Sequence, residues 1–261
     1  MKDAPSRTAE RVALRRAVHQ ILDHPKVFDD PLAVAIAGAS DFPPDTPFDR
    51  LLRAFTAARS RYAEDQLASA IALGVRQYVV LGAGLDTYAY RSSPEVRVFE
   101  VDHPATQAWK WARLQDAGIA IPDSMKFVAV DFERQNLADE LSRAGFKMEE
   151  PVFFSWLGVI MYLTLEAAME TLRFIAARPP GSGVTFDYAT GTWEPLARRV
   201  ARAGEPFRLF FDPGDLARLL RSLGFREIED LNPQQINARY FRDRDDGLRV
   251  AGDRAHLVTA R

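Results

Sequence analysis

The 261-residue chain contains no cysteine, and this absence excludes several kinds of chemistry. Disulfide bridges, thiolate metal sites and a cysteine nucleophile are all ruled out. Histidine is scarce too, and the four residues are scattered without the spacing of a metal-binding motif: His19, His24, His103 and His256. We therefore predict no metal site, and we interpret each histidine as a structural residue.

Long apolar runs and an excess of positive charge are missing as well. The apolar run at 32–37 is far shorter than the roughly 20 residues that a membrane span requires. The opening residues are charged throughout and lack the apolar core of a signal peptide. With a net charge of −2, the chain lacks the basic face expected of a nucleic-acid-binding protein. The sequence therefore predicts a cytoplasmic protein with no membrane or nucleic-acid partner.

Strand-like and helix-like segments alternate through most of the chain. Five apolar, strand-like segments occur at 78–81, 96–101, 126–130, 151–157 and 184–188. Their alternation with helical patterns predicts a doubly wound, mostly parallel sheet. Two further strand-like segments, 226–231 and 256–260, show no helical pattern between them, so we expect a hairpin and one antiparallel strand. This order predicts the seven-stranded, Rossmann-like α/β sheet of class I methyltransferases.

The segments that flank the predicted sheet are helical or irregular. An amphipathic helix is expected over 6–22 and a longer one over 49–73. Residues 1–75 are therefore predicted to form a helical cap on the carboxyl ends of the strands, where open α/β sheets bind ligands. Residues 76–261 would form the core of the same single domain, with 190–211 as an irregular lid.

A glycine-rich turn, 82–84, follows the first strand directly. Two glycines one residue apart let the backbone turn sharply and leave room for a ligand, because no Cβ intrudes. The next strand ends at Asp102, about twenty residues after the turn, where nucleotide-binding folds place an acid that hydrogen-bonds a ribose. The pattern predicts a site for an adenosine-containing cofactor that uses Gly82, Gly84 and Asp102. A tight turn without a ligand is the alternative.

The same turn departs from the dinucleotide-binding pattern. Thr87 stands where G-x-G-x-x-G requires its third small residue, and Asp86 would repel a pyrophosphate beside the helix N-terminus. A cofactor with a cationic centre and no phosphate tolerates Asp86 better, and S-adenosylmethionine fits this description. Two alternatives stay open: an NAD(P)-dependent oxidoreductase, which would lack a recognisable hydride-transfer pair here, and a non-catalytic S-adenosylmethionine-binding protein.

Polar residues follow two further strands. Asp131 and Phe132 come after the third strand, where they would hold an adenine by its amine and its ring; a helix cap or a loop acid is the equal alternative. Asp187 and Tyr188 end the fifth strand, where they would either face a substrate or satisfy the backbone. On the long helix, we interpret Arg53 as part of a solvated face.

Five ordered segments resemble bacterial relatives of the leucine carboxyl methyltransferases, a family that also contains carboxyl methylases of polyketide pathways. They are 58–65 (ARSRYAED), 79–91 (VVLGAGLDTYAYR), 98–110 (VFEVDHPATQAWK), 128–133 (VAVDFE) and 157–164 (LGVIMYLT). The opening TAERVALRRAVHQILDHPKVFDDPLA also resembles the N-terminal cap of this family, whereas the C-terminal third matches in layout only. The resemblance implies a class I fold and S-adenosylmethionine as methyl donor.

The resemblance also assigns roles to individual residues by their positions in these motifs. The implied cofactor-binding residues are Arg59, Gly82, Gly84, Asp102, Asp131 and Phe132. Arg59 would pair with the carboxylate of the cofactor, where Arg15 or Arg16 is the candidate for a second basic residue. The two glycines would pass under the methionine portion, Asp102 would hold the ribose hydroxyls, and the last two residues would hold the adenine.

One departure from the family pattern concerns the acceptor. The eukaryotic members carry a glutamate where this chain has Leu157, so we do not expect a protein C-terminus as the acceptor. We predict O-methylation of a carboxylate, or of a hydroxyl, on a small or secondary-metabolite acceptor. A carboxylate is ionised at neutral pH and needs no general base, which agrees with a sequence that shows no convincing one. A phenol would need a base, and His103 is then the candidate.

Overall fold

The computed structural model describes residues 6–38, 46–91, 95–131, 135–192, 194–202 and 204–261, and only the backbone of Arg199. Within these ranges the strands are β1 (Gln77–Leu81), β2 (Arg97–Asp102), β3 (Met125–Ala129), β4 (Val152–Trp156), β5 (Gly183–Ala189), β6 (Ile228–Leu231) and β7 (Ala255–Ala260). They form a sheet in the order β3-β2-β1-β4-β5-β7-β6. β7 is antiparallel to both β5 and β6, and the other pairs are parallel. The predicted class I sheet, with its antiparallel terminal strand, is confirmed.

Helices precede the sheet and connect its strands. They are α1 (Arg7–Leu22), α2 (Ala33–Ala37), α3 (Pro47–Ala72), α4 (Tyr88–Arg91), α5 (Pro104–Asp116), α6 (Leu137–Arg143), α7 (Leu165–Ala176), α8 (Glu194–Arg202), α9 (Pro213–Leu223) and α10 (Pro233–Tyr240), with a 3₁₀ turn at Ile160–Tyr162. Side-chain caps fix several starts; the Ser6 hydroxyl, for example, accepts from the Ala9 N–H. In the part of the chain that the structure describes, no helix is both long and apolar enough to span a bilayer.

Helices cover both faces of the sheet. Val79 and Leu81 of β1 pack with α7 and α9 in one core cluster, whereas Tyr78 and Val80 pack with α3 and α4 in another. This two-sided burial explains why β1 is a continuous apolar run rather than an alternating one. Full burial of such side chains contributes about 1.5–3 kcal/mol each, so the core holds the carboxyl ends of the central strands firmly at one edge.

The predicted hairpin between the last two strands is wrong, because α10 lies between them. The Asn232 side chain accepts from the Gln235 N–H, the Gln235 side chain accepts from the Asn232 N–H, and Pro233 takes the first helical turn. Only Pro233 and Ile236 of this helix are buried. A helix with so few buried residues shows little apolar periodicity. The capping residues Asn232, Pro233 and Gln235 indicate this helix better than its hydrophobic pattern does.

Two other expectations are also corrected. Segment 190–211 is not wholly irregular, since it contains α8. Arg53 is buried rather than solvated, with 2% of its surface exposed. Its guanidinium donates to the Asp23 carboxylate at 2.8 and 3.1 Å, and His19 contacts the same carboxylate at 2.7 Å. The division of the domain into cap, core and lid stays a prediction.

Candidate functional site

The glycine turn lies at the carboxyl end of β1 and is closely packed. Gly82 and Gly84 have φ angles of +66° and +48°, in the left-handed region that glycine adopts without steric cost. A Cβ atom on Gly82 would lie only 2.3 Å from a methyl carbon of Val159. The N–H groups of Gly82 and Ala83 donate to the Val101 carbonyl at 2.8 and 3.1 Å. The turn is therefore bound to β2, and Val159 occupies the space that a side chain at Gly82 would need.

Asp102 ends β2 directly beside this turn. One carboxylate oxygen accepts from the Gly84 N–H at 2.6 Å and the other from the His103 N–H at 2.7 Å. Burial raises the pKa of Asp102, and these two hydrogen bonds oppose that rise. Each carboxylate oxygen has two lone pairs, so Asp102 keeps the capacity to accept hydroxyl donors from the cavity that it lines.

The glycine-turn cavity, of about 240 Å³, brings most of the predicted site residues together. The predicted residues that line it are Arg59, Gly82, Gly84, Asp102 and Asp131, and Arg16 lines it too. Arg15 lines a neighbouring cavity instead. Phe132 lies outside the described residues, so its role stays a prediction. Residues that are far apart in the chain thus converge at the carboxyl edge of the sheet.

Arg59 reaches the cavity from α3 and is held by Asp187, a partner that the sequence did not reveal. Its Nη1 donates to the Asp187 carboxylate at 3.1 Å, and the Gly158 N–H donates to the other oxygen of Asp187 at 2.5 Å. Gly158 has a φ of +70°, and a Cβ there would lie 2.7 Å from Nη1 of Arg59. Since a guanidinium has five N–H donors, Arg59 retains donors for a ligand carboxylate.

Arg16 belongs to a buried charge cluster behind the turn. It donates to the Leu85 carbonyl at 3.0 Å and to the Thr87 hydroxyl at 2.7 Å, and it pairs with Asp30. Burial alone would raise the pKa of Asp30, but Arg16 and Arg91 hold it below its ordinary value. Asp30 is therefore a charged partner that fixes Arg16, and with it α1, against the glycine turn.

The end of β5 supplies two polar residues with separate partners. Asp187 satisfies a backbone N–H and the Arg59 side chain, as described above. The Tyr188 hydroxyl donates to Asp230, and Nδ1 of His256 donates to the other oxygen of the same carboxylate at 2.8 Å. Burial raises the pKa of Tyr188, and Asp230 adds to the rise. Tyr188 is therefore a protonated structural residue, although it also lines the neighbouring cavity.

The neighbouring cavity, called the apolar cavity, has a volume of about 650 Å³. Its apolar walls include Leu51, Phe55, Met161, Leu196, Phe207 and Val250. The residues shared with the glycine-turn cavity, called the shared wall, are Thr8, Val12, Arg59, Gly158 and Tyr162. Among the described residues that line the apolar cavity there is no histidine and no lysine. The two cavities thus lie next to each other and share one wall.

Solved structures with this fold include methyltransferases. A provisionally named methyltransferase from Thermobifida fusca superposes with a TM-score of 0.61 at 18% identity, over 99% of this chain and 95% of that one. The N-terminal domain of EvdMO1, solved with SAH bound, gives a TM-score of 0.50 at 16% identity, over 78% and 80% of the two chains. The fold is that of the class I S-adenosylmethionine-dependent methyltransferases.

Sequence comparisons identify the family. The model of the leucine carboxyl methyltransferase family matches residues 9–176. Bacillus subtilis YktD, provisionally named as an S-adenosyl-L-methionine-dependent methyltransferase, is 39% identical over 78% of this chain and 71% of its own. A Parafrankia protein of the same provisional name is 34% identical over 69% of this chain but only 63% of its own length. The chain therefore belongs to the leucine carboxyl methyltransferase family, and it is a methyltransferase that uses S-adenosylmethionine.

Proposed function

We propose that the protein transfers the methyl group of S-adenosylmethionine to an oxygen of a small acceptor, and that this oxygen belongs to a carboxylate. The observation that carries the proposal is the lining of the apolar cavity, where the described residues include neither histidine nor lysine and each carboxylate lies 3.1–3.7 Å from an arginine nitrogen: Asp187, Glu194 and Asp253. A carboxylate is already ionised at neutral pH and needs no general base, whereas a phenol does. The candidate base for a phenol, His103, lies beside Asp102, and its Nδ1 accepts from the Ala105 N–H at 3.2 Å.

The residues of the glycine-turn cavity fit the methyl donor at both of its polar ends. We assign Asp102 to the ribose hydroxyls because its buried carboxylate retains acceptor capacity beside the turn. We assign Arg59 to the donor carboxylate because Asp187 holds its guanidinium in place at the shared wall. Gly82 and Gly84 line the same cavity, and we assign their backbone to the methionine portion of the donor. Asp131 lines the same cavity and is assigned to the adenine.

The bound donor supplies an electrophilic methyl group on a sulfonium centre. The chain itself contributes alignment and the exclusion of water. The apolar walls would hold the body of the acceptor and remove water from its oxygen, while the shared wall would direct that oxygen toward the donor. The acceptor oxygen forms the new bond to carbon, the electron pair of the broken bond stays on sulfur, and no proton moves.

Apolar carboxylic acids are expected to be methylated by the wild-type protein, with release of S-adenosylhomocysteine. Suitable probes are phenylacetate, 1-naphthoate and decanoate, because their bodies match a mostly apolar cavity. Mass spectrometry of the product, before and after mild alkaline hydrolysis, identifies a methyl ester. The matched controls are 4-ethylphenol and phenethylamine, which are expected to remain unmethylated at neutral pH.

The outcomes separate the remaining interpretations. A methylated amine as the only product would contradict an oxygen acceptor altogether. A methylated phenol alone would keep the oxygen acceptor and overturn the carboxylate. Binding of S-adenosylmethionine and S-adenosylhomocysteine without turnover of any of the three carboxylic acids would contradict an apolar carboxylate as the acceptor.

A further inference from the structure

The shared wall is where the acceptor oxygen must meet the methyl group. Its five residues line both cavities, so a group that passes from one cavity to the other crosses this wall. Three of its side chains are polar: Thr8 from α1, Arg59 from α3 and Tyr162 from the 3₁₀ turn. A hydrogen-bond donor at this place would contact the reacting group directly.

All three of these side chains already have partners. Arg59 is paired with Asp187 and is assigned to the methyl donor. The Thr8 hydroxyl donates to the Glu205 carboxylate, and the Thr8 N–H donates to the same oxygen at 3.1 Å. The Thr8 side chain also hydrogen-bonds the Tyr162 hydroxyl. Since the hydrogen of Thr8 is directed to Glu205, Tyr162 is the donor in the bond with Thr8, and its hydrogen can exchange the Thr8 oxygen for a ligand oxygen in the cavity.

The surroundings of Tyr162 keep its ring in place and its hydroxyl protonated. The ring packs against Phe207, with 5.3 Å between the ring centroids. The N–H groups of Arg208 and Leu209 donate to the Met161 carbonyl at 2.8 and 3.2 Å, which fixes the backbone beside the ring. Burial raises the pKa of Tyr162 to about 12, and the charge of Glu205 adds to the rise. At neutral pH the hydroxyl is therefore a donor and not a base.

We propose that the Tyr162 hydroxyl donates a hydrogen bond to the acceptor carboxylate and thereby orients it for methyl transfer. The bond is to the oxygen that is not methylated, because a donor on the attacking lone pair would weaken the nucleophile. The other oxygen forms the new O–CH₃ bond as the S–CH₃ bond breaks, and the acceptor and the sulfonium both become neutral. The inference depends on the proposed function, since it assumes that the apolar cavity holds the acceptor.

Selectivity follows from the same geometry. A protonated amine has no lone pair with which to accept the hydrogen of Tyr162, whereas a carboxylate accepts a charge-assisted hydrogen bond. Tyr162 would therefore favour anionic oxygen acceptors over amines of equal size, in addition to aligning them.

Tyr162→Phe is the direct test, because it removes the hydroxyl and keeps the ring against Phe207. With the carboxylate probe that the wild type methylates best, kcat/KM is expected to fall about 10- to 100-fold, the effect of losing one hydrogen bond to a charged group. The dissociation constant for S-adenosylhomocysteine, measured by calorimetry, is expected to change less than about twofold. A lower kcat/KM together with an unchanged affinity for S-adenosylhomocysteine is a result that a merely structural residue would not produce.

A matched control is Tyr240→Phe. The Tyr240 hydroxyl donates to Asp65 at 3.0 Å, and neither residue lines either of the two cavities. This variant also loses one tyrosine hydroxyl, yet kcat/KM and the affinity for S-adenosylhomocysteine are expected to match the wild type.

Several results would overturn the inference, and they differ from those that overturn the proposed function. Unchanged kcat/KM in Tyr162→Phe would contradict it, and so would an equal loss of affinity for S-adenosylhomocysteine. If the wild type methylates only 4-ethylphenol, the carboxylate proposal fails and this inference fails with it, because a phenol has no second oxygen to accept the hydrogen bond. If the wild type neither methylates nor binds any probe, both proposals fall.

Discussion

Replacing Gly158 by alanine is expected to weaken the binding of S-adenosylmethionine about a hundredfold while leaving the protein folded. The new Cβ would lie 2.7–3.1 Å from the guanidinium atoms of Arg59, so the side chain of Arg59 must move. Arg59 would then lose its position beside Asp187 and its assigned contact with the donor carboxylate. A bidentate, charge-assisted contact of this kind is worth about 3 kcal/mol, which corresponds to the expected loss. Calorimetry with S-adenosylmethionine and S-adenosylhomocysteine measures it.

Gly118→Ala separates this steric effect from backbone strain. Gly118 has a φ of +63°, close to the +70° of Gly158, but a Cβ there would meet no atom within 4 Å. Both substitutions place alanine in the left-handed region, at a cost of about 1–2 kcal/mol in stability. Only Gly158→Ala is expected to lose affinity. If the two variants bind the donor equally well, the assignment of Arg59 to the donor carboxylate is wrong.

The part of the site around the glycine turn could be predicted because its contacts lie close together in the sequence. Gly84 and Asp102 are joined by a hydrogen bond, and only one helical connection separates them in the sequence. Parallel strands end at the same edge of a sheet, so a turn after β1 and an acid at the end of β2 must converge. The local sequence pattern was therefore enough to predict where this half of the candidate site lies and that it combines a glycine turn with a carboxylate.

The other half could not be predicted, because its contacts join distant segments. Arg59 and Asp187 are 128 residues apart, and no local pattern relates them. Gly158 was visible in the sequence, but the guanidinium that requires its lack of a Cβ was not. Arg53 shows the same limit, since a buried, paired arginine on a helix has the same sequence pattern as a solvated one. The packing of α3 against β4 and β5 is what brings Arg59, Gly158 and Asp187 together.

A buried ion pair near Asp102 predicts an unusual dependence of stability on pH. Glu100 of β2 and Lys110 of α5 are each 1% exposed, and their Oε2 and Nζ atoms are 2.6 Å apart. The Tyr90 hydroxyl donates to the same Oε2 at 3.0 Å. Burial raises the pKa of Glu100 to about 7; Lys110 and Tyr90 oppose the rise, whereas the charge of Asp86 adds to it.

Replacing Lys110 by methionine is expected to destabilise the protein more as the pH rises. A carboxyl with a raised folded-state pKa contributes stability that is fully present below its unfolded pKa of about 4.3 and is lost as the pH rises through its folded pKa. In the wild type this loss ends near pH 7, the pKa of Glu100. Without Lys110 the pKa rises further, so the free energy of unfolding keeps falling by about 1.4 kcal/mol per pH unit. Urea unfolding should show a destabilisation about 2 kcal/mol greater at pH 8.5 than at pH 6.

Two further variants assign this effect to the pair. Lys110→Met combined with Glu100→Gln removes the titrating carboxyl, so the pH-dependent part of the destabilisation is expected to disappear. Lys126→Met removes an exposed lysine from β3 and is expected to change the free energy of unfolding by less than about 0.5 kcal/mol at either pH. A Lys110→Met variant that is equally destabilised at both pH values would contradict the raised pKa of Glu100. In that case the Glu100 carboxylate would be ionised throughout this range.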